Sequence, residues 1–261
     1  MGETVSERVD TELVQDGTLL RVRFQAPKGN VLTSALLSRI ESALSDHADD
    51  QSLKLVALEG EGESFSYGAS VEEHQKDRVE HMLSTFHALV RRLVTYPLPV
   101  AALVRGRCLG GAFELTLACR FVLARHDAVF ACPEVKLGVF PPVLAALGWE
   151  RLGGPLTERL ALTGAEMGAR EACNVGWVTE VAEDPVAAVF QLHERCFRSH
   201  SAFAIRQTLE ALRRGSGAVE RVGSLLTAIE KQYLHRVVRS HDGNEGISAF
   251  LEKRPPNWTH A

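Results

Sequence analysis

Residues 103–114 read L-V-R-G-R-C-L-G-G-A-F-E and, beyond an apolar stretch, residues 130–138 read F-A-C-P-E-V-K-L-G. The first run is a buried strand ending near Gly106, a tight turn at Gly110-Gly111, and the start of a helix, which is the unit of an α/β core. Unsatisfied N–H groups at such a helix start carry the positive end of the helix dipole and favour an anion. A residue without a Cβ lets a ligand oxygen approach that backbone closely. A helix start that needs only close packing is the plainer reading of one Gly-Gly pair. Two carboxylates change the balance: Glu114 stands three residues past the pair, and Glu134 directly follows Pro133. Both are placed by backbone punctuation, and together they suit the proton transfers of a water molecule.

Upstream, E-L-V-Q-D-G-T-L-L-R-V-R-F (12–24) gives two strand-like runs around Asp16-Gly17, a dipeptide suited to a type I′ hairpin turn. The spacing of Leu36, Leu37, Ile40, Ala43 and Leu44 predicts a helix over 33–48, followed by a buried strand over 53–60. A second unit follows, with a helix over about 77–95, a strand over 99–106, a helix from Gly111 and a strand over 121–124. Alternation of this kind points to a mainly parallel sheet. From Pro142 onward the only strand-like segment is 177–182. Helical spacing occupies 157–162, 168–175, 185–198, 202–214, 219–238 and 244–253.

Composition excludes several classes of function. The 261 residues are 45% hydrophobic and 24% charged, which fits one or two packed domains. With 29 basic against 33 acidic residues and a formal charge of -4, nothing suggests nucleic acid or an anionic membrane as partner. Cys108, Cys119, Cys132, Cys173 and Cys196 are scattered without C-x-x-C spacing, so neither a disulfide framework nor a zinc site is indicated and a reducing, cytoplasmic setting is expected. The start M-G-E-T-V-S-E-R-V-D lacks the apolar core of a secretion signal, and Met1-Gly2 with Ser6 matches a myristoylation pattern only superficially.

The segment S-F-S-Y-G-A-S (64–70) also ends in small residues, and offers a second N–H at Ala69. Two such donors make an oxyanion hole, a device worth roughly 3 kcal/mol per donor in the transition state. On F-S-Y-G-A-S, L-G-G-A-F-E and A-C-P-E the chain resembles the crotonase (enoyl-CoA hydratase/isomerase) superfamily over essentially its whole length. The resemblance implies a crotonase-like ββα spiral core over 1–200 and a C-terminal helical trimerisation region over 201–261. It implies that Ala69 and Gly111, with Gly68 and Gly110 beside them, receive a thioester oxygen, and that Glu114 and Glu134 are the acid/base pair of a hydratase. Homotrimers or dimers of trimers are expected. An acyl-CoA thioester is the expected partner, and no metal or redox cofactor is expected because the thioester is itself the electron sink.

Departures from the common pattern narrow the expectation. Ser70 replaces the usual acidic residue after G-A, and the loop usually reading I-P-G-x-G-G is F140-P141-P142-V143-L144-A145. Pro142 has no N–H to aim at the reacting water, so the water must be held differently. The bulky, apolar loop with Phe140 suits a compact cyclic acyl group. Segments 65–74, 106–111, 133–140, 240–246 and 249–258 are similar to the cyclohexa-1,5-diene-1-carbonyl-CoA hydratase subfamily. The reaction implied is hydration to 6-hydroxycyclohex-1-ene-1-carbonyl-CoA. The alternatives are another crotonase reaction (an ordinary or polyketide-type hydratase or dehydratase, an isomerase or a CoA hydrolase) or a non-catalytic binding protein.

Secondary candidates have two readings each. His74, five residues past Ala69, lines the acyl pocket or stands at the surface; with His81 and His87 it is poorly spaced for a metal. Lys253 resembles the family's C-terminal base that reaches a CoA phosphate, or is an ordinary helix-end cation. Phe250, one turn earlier, contacts the nucleotide end or packs.

Overall fold

The computed structural model describes residues 6–261; residues 1–5, on which the reading of the chain's start falls, lie outside them. Strands β1 (Arg8–Val14) and β2 (Leu19–Gln25) form the expected antiparallel hairpin. Asp16 and Gly17 have φ of 57° and 77°, and Thr18 N–H donates to the Gln15 carbonyl at 3.2 Å, the signature of a turn with two left-handed central residues.

From β2 the sheet grows in parallel through β3 (Leu55–Gly60), β4 (Val100–Val104), β6 (Phe121–Arg125) and β9 (Glu180–Ala182), in the order β1-β2-β3-β4-β6-β9. β3 and β4 are buried along their whole length, as continuous apolar runs covered on both faces must be. Successive residues alternate between two cores: Val56, Leu58, Ala102 and Val104 face the main one, while Leu55, Ala57, Ala101 and Leu103 meet Val189 and Leu192 of the Pro185–Cys196 helix.

A second, small sheet escapes the sequence reading. It consists of β5 (Arg107–Leu109), β7 (Val129–Ala131) and β8 (Glu166–Gly168), with β5 parallel to β7 and β7 antiparallel to β8. Segments this short are invisible to a periodicity argument, so the strand expected to end at Gly106 is two strands, β4 and β5, in different sheets. The chain therefore coils in repeated turns. β4 and β5 lead to the Gly111–Leu117 helix, and β6 and β7 lead to a short 3-10 turn at Pro133–Leu137. β3 leads to Ser66, which bridges Cys108 of the small sheet, and then to the Val79–Thr95 helix. That is the ββα spiral of the expected fold, and it delivers Ala69, Gly111 and Glu134 from equivalent places on three successive turns.

One buried polar residue fixes the first of these places. Asn30, with φ 61°, accepts the Ala26 N–H at 3.0 Å through Oδ1. Its Nδ2 donates to the carbonyls of Glu61 and Ser64 at 2.7 and 3.1 Å, tying the 26–30 bend to the loop that leads into Ala69.

The last third is helical, with corrections at its edges. The helix expected over 219–238 ends at Gln232 and continues as a π-turn, Tyr233–Val237. The segment 168–175 splits into the end of β8 and an Ala169–Asn174 helix, and only Glu180–Ala182 of 177–182 is a strand. The helices Ala202–Ser216, Ala218–Gln232 and His241–Glu252 leave Phe203, Leu212, Leu225 and Phe250 exposed. The five cysteines are free, and among the described residues no helix is long and apolar enough to cross a membrane.

Candidate active site

Ala69 and Gly111 face each other: a Cβ added to Gly111 would lie 3.3 Å from that of Ala69. The Gly68 carbonyl accepts from Leu32 N–H and Ser70 N–H donates to the Leu32 carbonyl, at 2.9 and 3.0 Å. These bonds flank Ala69 and leave its own N–H turned the other way. Gly111 is the first residue of its helix, where an N–H has no intrahelical acceptor. Among the described residues neither N–H has a hydrogen-bond partner. Gly68 has φ 99°, and a Cβ there would come within 2.6 Å of the Leu109 carbonyl oxygen, so the approach of the two segments requires glycine.

Glu114 follows on the Gly111–Leu117 helix, which is buried throughout. Its neighbour Phe113 is wedged against Trp177 with ring centroids 5.0 Å apart, and Trp177 against Phe130 at 4.7 Å. Each such pair contributes about 0.5–1.5 kcal/mol beyond its burial and holds the helix rotation that directs Glu114 into the cavity. Glu114 Oε1 accepts from Val143 N–H at 2.6 Å and Leu144 N–H at 2.8 Å. These are the first available donors of the Pro142–Arg151 helix, because Pro142 occupies its first position and has none. The loop that lacks a donor for water is thus the loop that fixes a carboxylate.

The two glutamates are unlike in their surroundings. Burial pushes the Glu114 carboxyl up to about 7, with the Leu144 and Val143 N–H groups opposing the rise. Glu134 is held well above the usual carboxylate range by burial and then by the charge of Glu114. Its Oε2 is buried with no hydrogen-bond partner. Two carboxyls in one low-dielectric site do not both ionise readily; Glu114, whose Oε1 accepts two backbone N–H groups, is the more readily charged of the two.

Both glutamates open on a cavity of about 630 Å³. Its walls are mainly apolar, from Met82, Leu83, Phe86, Leu137, Val139 and Phe140, with Tyr233 against Phe140 at 5.1 Å. Gly68, Ala69, Gly110, Gly111, His74 and Pro142 also line it. His74 Nδ1 lies 2.8 Å from the Ser70 carbonyl, an acceptor, so that nitrogen carries the proton. Burial lowers the His74 pKa, which favours a neutral ring with Nε2 as a free acceptor. Lys253 is not part of the lining, although Phe250 and Leu251 of the preceding helix are. The lining also includes Lys28, Tyr67, Lys136 and Tyr233, none of which stood out in the sequence. Tyr67 and Lys136 lie inside the S-F-S-Y-G-A-S and F-A-C-P-E-V-K-L-G segments without a signal that sets them apart there, and Lys28 and Tyr233 carry no local motif. No group of three or more His, Cys, Asp or Glu is arranged to hold a metal among the described residues, and His87 is occupied by Glu230, Nδ1 to Oε2 at 2.5 Å.

Gly110 is a second tight point of the site. It has φ 52° and ψ -131°, and a Cβ there would meet Glu134 Oε1 at 2.8 Å. Gly110→Ala is expected to cost about 1–3 kcal/mol from the backbone alone. It should also lower kcat by moving Glu134, a combination that denaturant unfolding and steady-state assays on one preparation would detect.

A model of the enoyl-CoA hydratase/isomerase family matches residues 15–261. The chain is 38% identical over 246 residues to cyclohexa-1,5-dienecarbonyl-CoA hydratase of Thauera aromatica, covering 94% of this chain and 95% of that one. It is 32% identical over 251 residues to 2,3-dehydroadipyl-CoA hydratase of Escherichia coli K12, covering 94% and 96%. Among solved structures, an enoyl-CoA hydratase from Mycobacterium avium superposes with a TM-score of 0.84 at 29% identity, covering 99% of this chain and 100% of that chain.

Proposed function

We propose, on the premise that this chain belongs to the enoyl-CoA hydratase/isomerase family, that its hydro-lyase activity of enoyl-CoA hydratase type acts on a cyclic conjugated dienoyl-CoA. The observation that carries this reading is the pair of carboxyls, one poised to be charged and one protonated, facing two unpartnered N–H groups across a mainly apolar cavity. The similarity to the Thauera aromatica hydratase and the bulky wall at Phe140 and Pro142 support a ring over a mobile straight chain.

In cyclohexa-1,5-diene-1-carbonyl-CoA the conjugation runs from the thioester along both double bonds. Glu114 takes a proton from water as its oxygen bonds to the β-carbon, C2 of the ring. The electron pair of that double bond moves onto the thioester oxygen, which the Ala69 and Gly111 N–H groups stabilise as an extended dienolate. Collapse of the dienolate moves the remaining double bond, and Glu134 delivers its proton to C5 at the far end. The product is 6-hydroxycyclohex-1-ene-1-carbonyl-CoA, and proton exchange with solvent restores the pair. The hydroxyl and the proton enter at opposite corners of the ring, which suits two separate carboxyls. His74 Nε2 offers an acceptor beside the acyl group, and Lys28 and Lys136 offer cations to the CoA phosphates. Lys253 serves the same end from the tip of its helix, on its own or a neighbouring copy. Association through the exposed apolar residues of 201–261, into a homotrimer or a dimer of trimers, completes the proposal. The CoA thioester serves as the electron sink in place of a cofactor.

The test is a direct comparison of hydration rates on cyclohexa-1,5-diene-1-carbonyl-CoA and crotonyl-CoA. The expected result is a kcat/KM at least about 10-fold higher for the ring, roughly the 1–3 kcal/mol that pocket shape supplies. Equal or inverted preference would overturn the cyclic substrate and leave an ordinary enoyl-CoA hydratase.

A further inference from the structure

Resting on the hydratase reading, we propose that Tyr233 is a positioning residue for the attacking water, its hydroxyl supplying the hydrogen bond that the Pro142 loop does not. The helix start at Pro142 has no donor to spare: its proline lacks an N–H, and those of Val143 and Leu144 are both given to Glu114. Water between Glu114 and Glu134 therefore needs another polar group to fix its orientation.

Tyr233 is placed to be that group. It is only 2% exposed, yet it lines the cavity with Glu114, Glu134, Phe140 and Pro142. Its ring is packed among Val79, Met82, Leu83, Val139 and Ile247, and edge-on to Phe140, so the ring cannot swing away. The hydroxyl has no side-chain or backbone hydrogen-bond partner among the described residues, although a buried phenol ordinarily finds one. A phenol both donates and accepts, as a water-orienting group must. Burial, then the charges of Glu134 and Glu114, holds the phenol far above its ordinary pKa, so it stays protonated and senses both carboxyls.

The backbone around it is unusual. Tyr233 opens the π-turn Tyr233–Val237, closed by Val238 N–H donating to the Tyr233 carbonyl at 3.0 Å. Such wide turns re-aim a side chain within a helix and concentrate at functional sites. Three residues earlier, Glu230 is bonded to the buried His87 on the Val79–Thr95 helix, which also contributes Met82 and Phe86 to the cavity. This tether fixes the turn against the acyl-binding wall.

Two variants separate positioning from packing. Tyr233→Phe keeps the ring and loses the hydroxyl; kcat on the cyclic dienoyl-CoA should fall about 10–100-fold, the worth of one hydrogen bond to a charged or reacting group, with KM and Tm nearly unchanged. Tyr233→Leu should show the same kcat loss and a raised KM. A Phe variant with wild-type kcat beside an impaired Leu variant would mean that the ring only packs, and would overturn the proposal. The variants are assayed on crotonyl-CoA in parallel. If the wild-type protein hydrates only crotonyl-CoA, the cyclic substrate fails by itself, and the same kcat comparison on crotonyl-CoA still decides the role of Tyr233.

Discussion

Glutamine at position 134 is expected to lower kcat by on the order of 10²–10⁴-fold, the usual worth of a positioned acid or base, while the chain folds and still binds a CoA thioester. The reason lies in how Glu134 is held. It enters the cavity from the 3-10 turn after β7, and its Oε2 is buried without a partner. An amide fills the same volume and cannot deliver a proton. Because the protonated state already dominates, Glu134→Gln removes no charge that the fold depends on, and its circular dichroism and Tm should match or exceed those of the wild type. Steady-state kinetics with calorimetric binding of the product thioester would separate lost chemistry from lost binding. A variant retaining more than about a tenth of the wild-type kcat would remove Glu134 from proton transfer.

The parts of this site that were legible in the sequence are those whose signal is local. Asp16-Gly17 marks its own turn, the Leu55–Gly60 and Val100–Val104 strands announce themselves as unbroken apolar runs, and Gly110-Gly111 with Glu114 lies within five consecutive residues. The small sheet was not legible, since β5, β7 and β8 are each too short for an alternation to establish itself. Pro142 could be read as the loss of an N–H, but not as the first residue of a helix whose next two N–H groups grip Glu114. Tyr233 lay inside a helical apolar pattern that runs unchanged through the π-turn, so nothing set it apart from core residues. Asn30 and its loop partners Glu61 and Ser64 are far apart in the chain, and their meeting is a property of the spiral.

Glu114→Gln is the complementary experiment, because it should lose activity while gaining stability, and the gain should depend on pH. The glutamine carbonyl oxygen can still accept from the Val143 and Leu144 N–H groups, so the start of the Pro142–Arg151 helix stays satisfied. What disappears is a buried carboxyl whose pKa is raised from 4.5 to about 7. A pKa raised by folding means stability fully present below the unfolded value and lost as pH climbs through the folded one. For Glu114 that window runs from about pH 4.5 to about pH 7, and the shift corresponds to about 3 kcal/mol. The variant should therefore differ little from the wild type near pH 4 and be more stable by up to about 3 kcal/mol at pH 8, measured by denaturant unfolding across the range. Activity should move the other way. Wild-type kcat/KM should rise as pH passes through about 7 and Glu114 becomes the base, whereas the glutamine variant should be slower by on the order of 10²–10⁴-fold and lack that limb. A stability difference that keeps growing as pH rises from 7 through 8, instead of levelling off, would mean that the Glu114 carboxyl is still protonated in the folded protein at pH 8. The base would then have to be Glu134, and the division of roles between the two carboxyls would reverse.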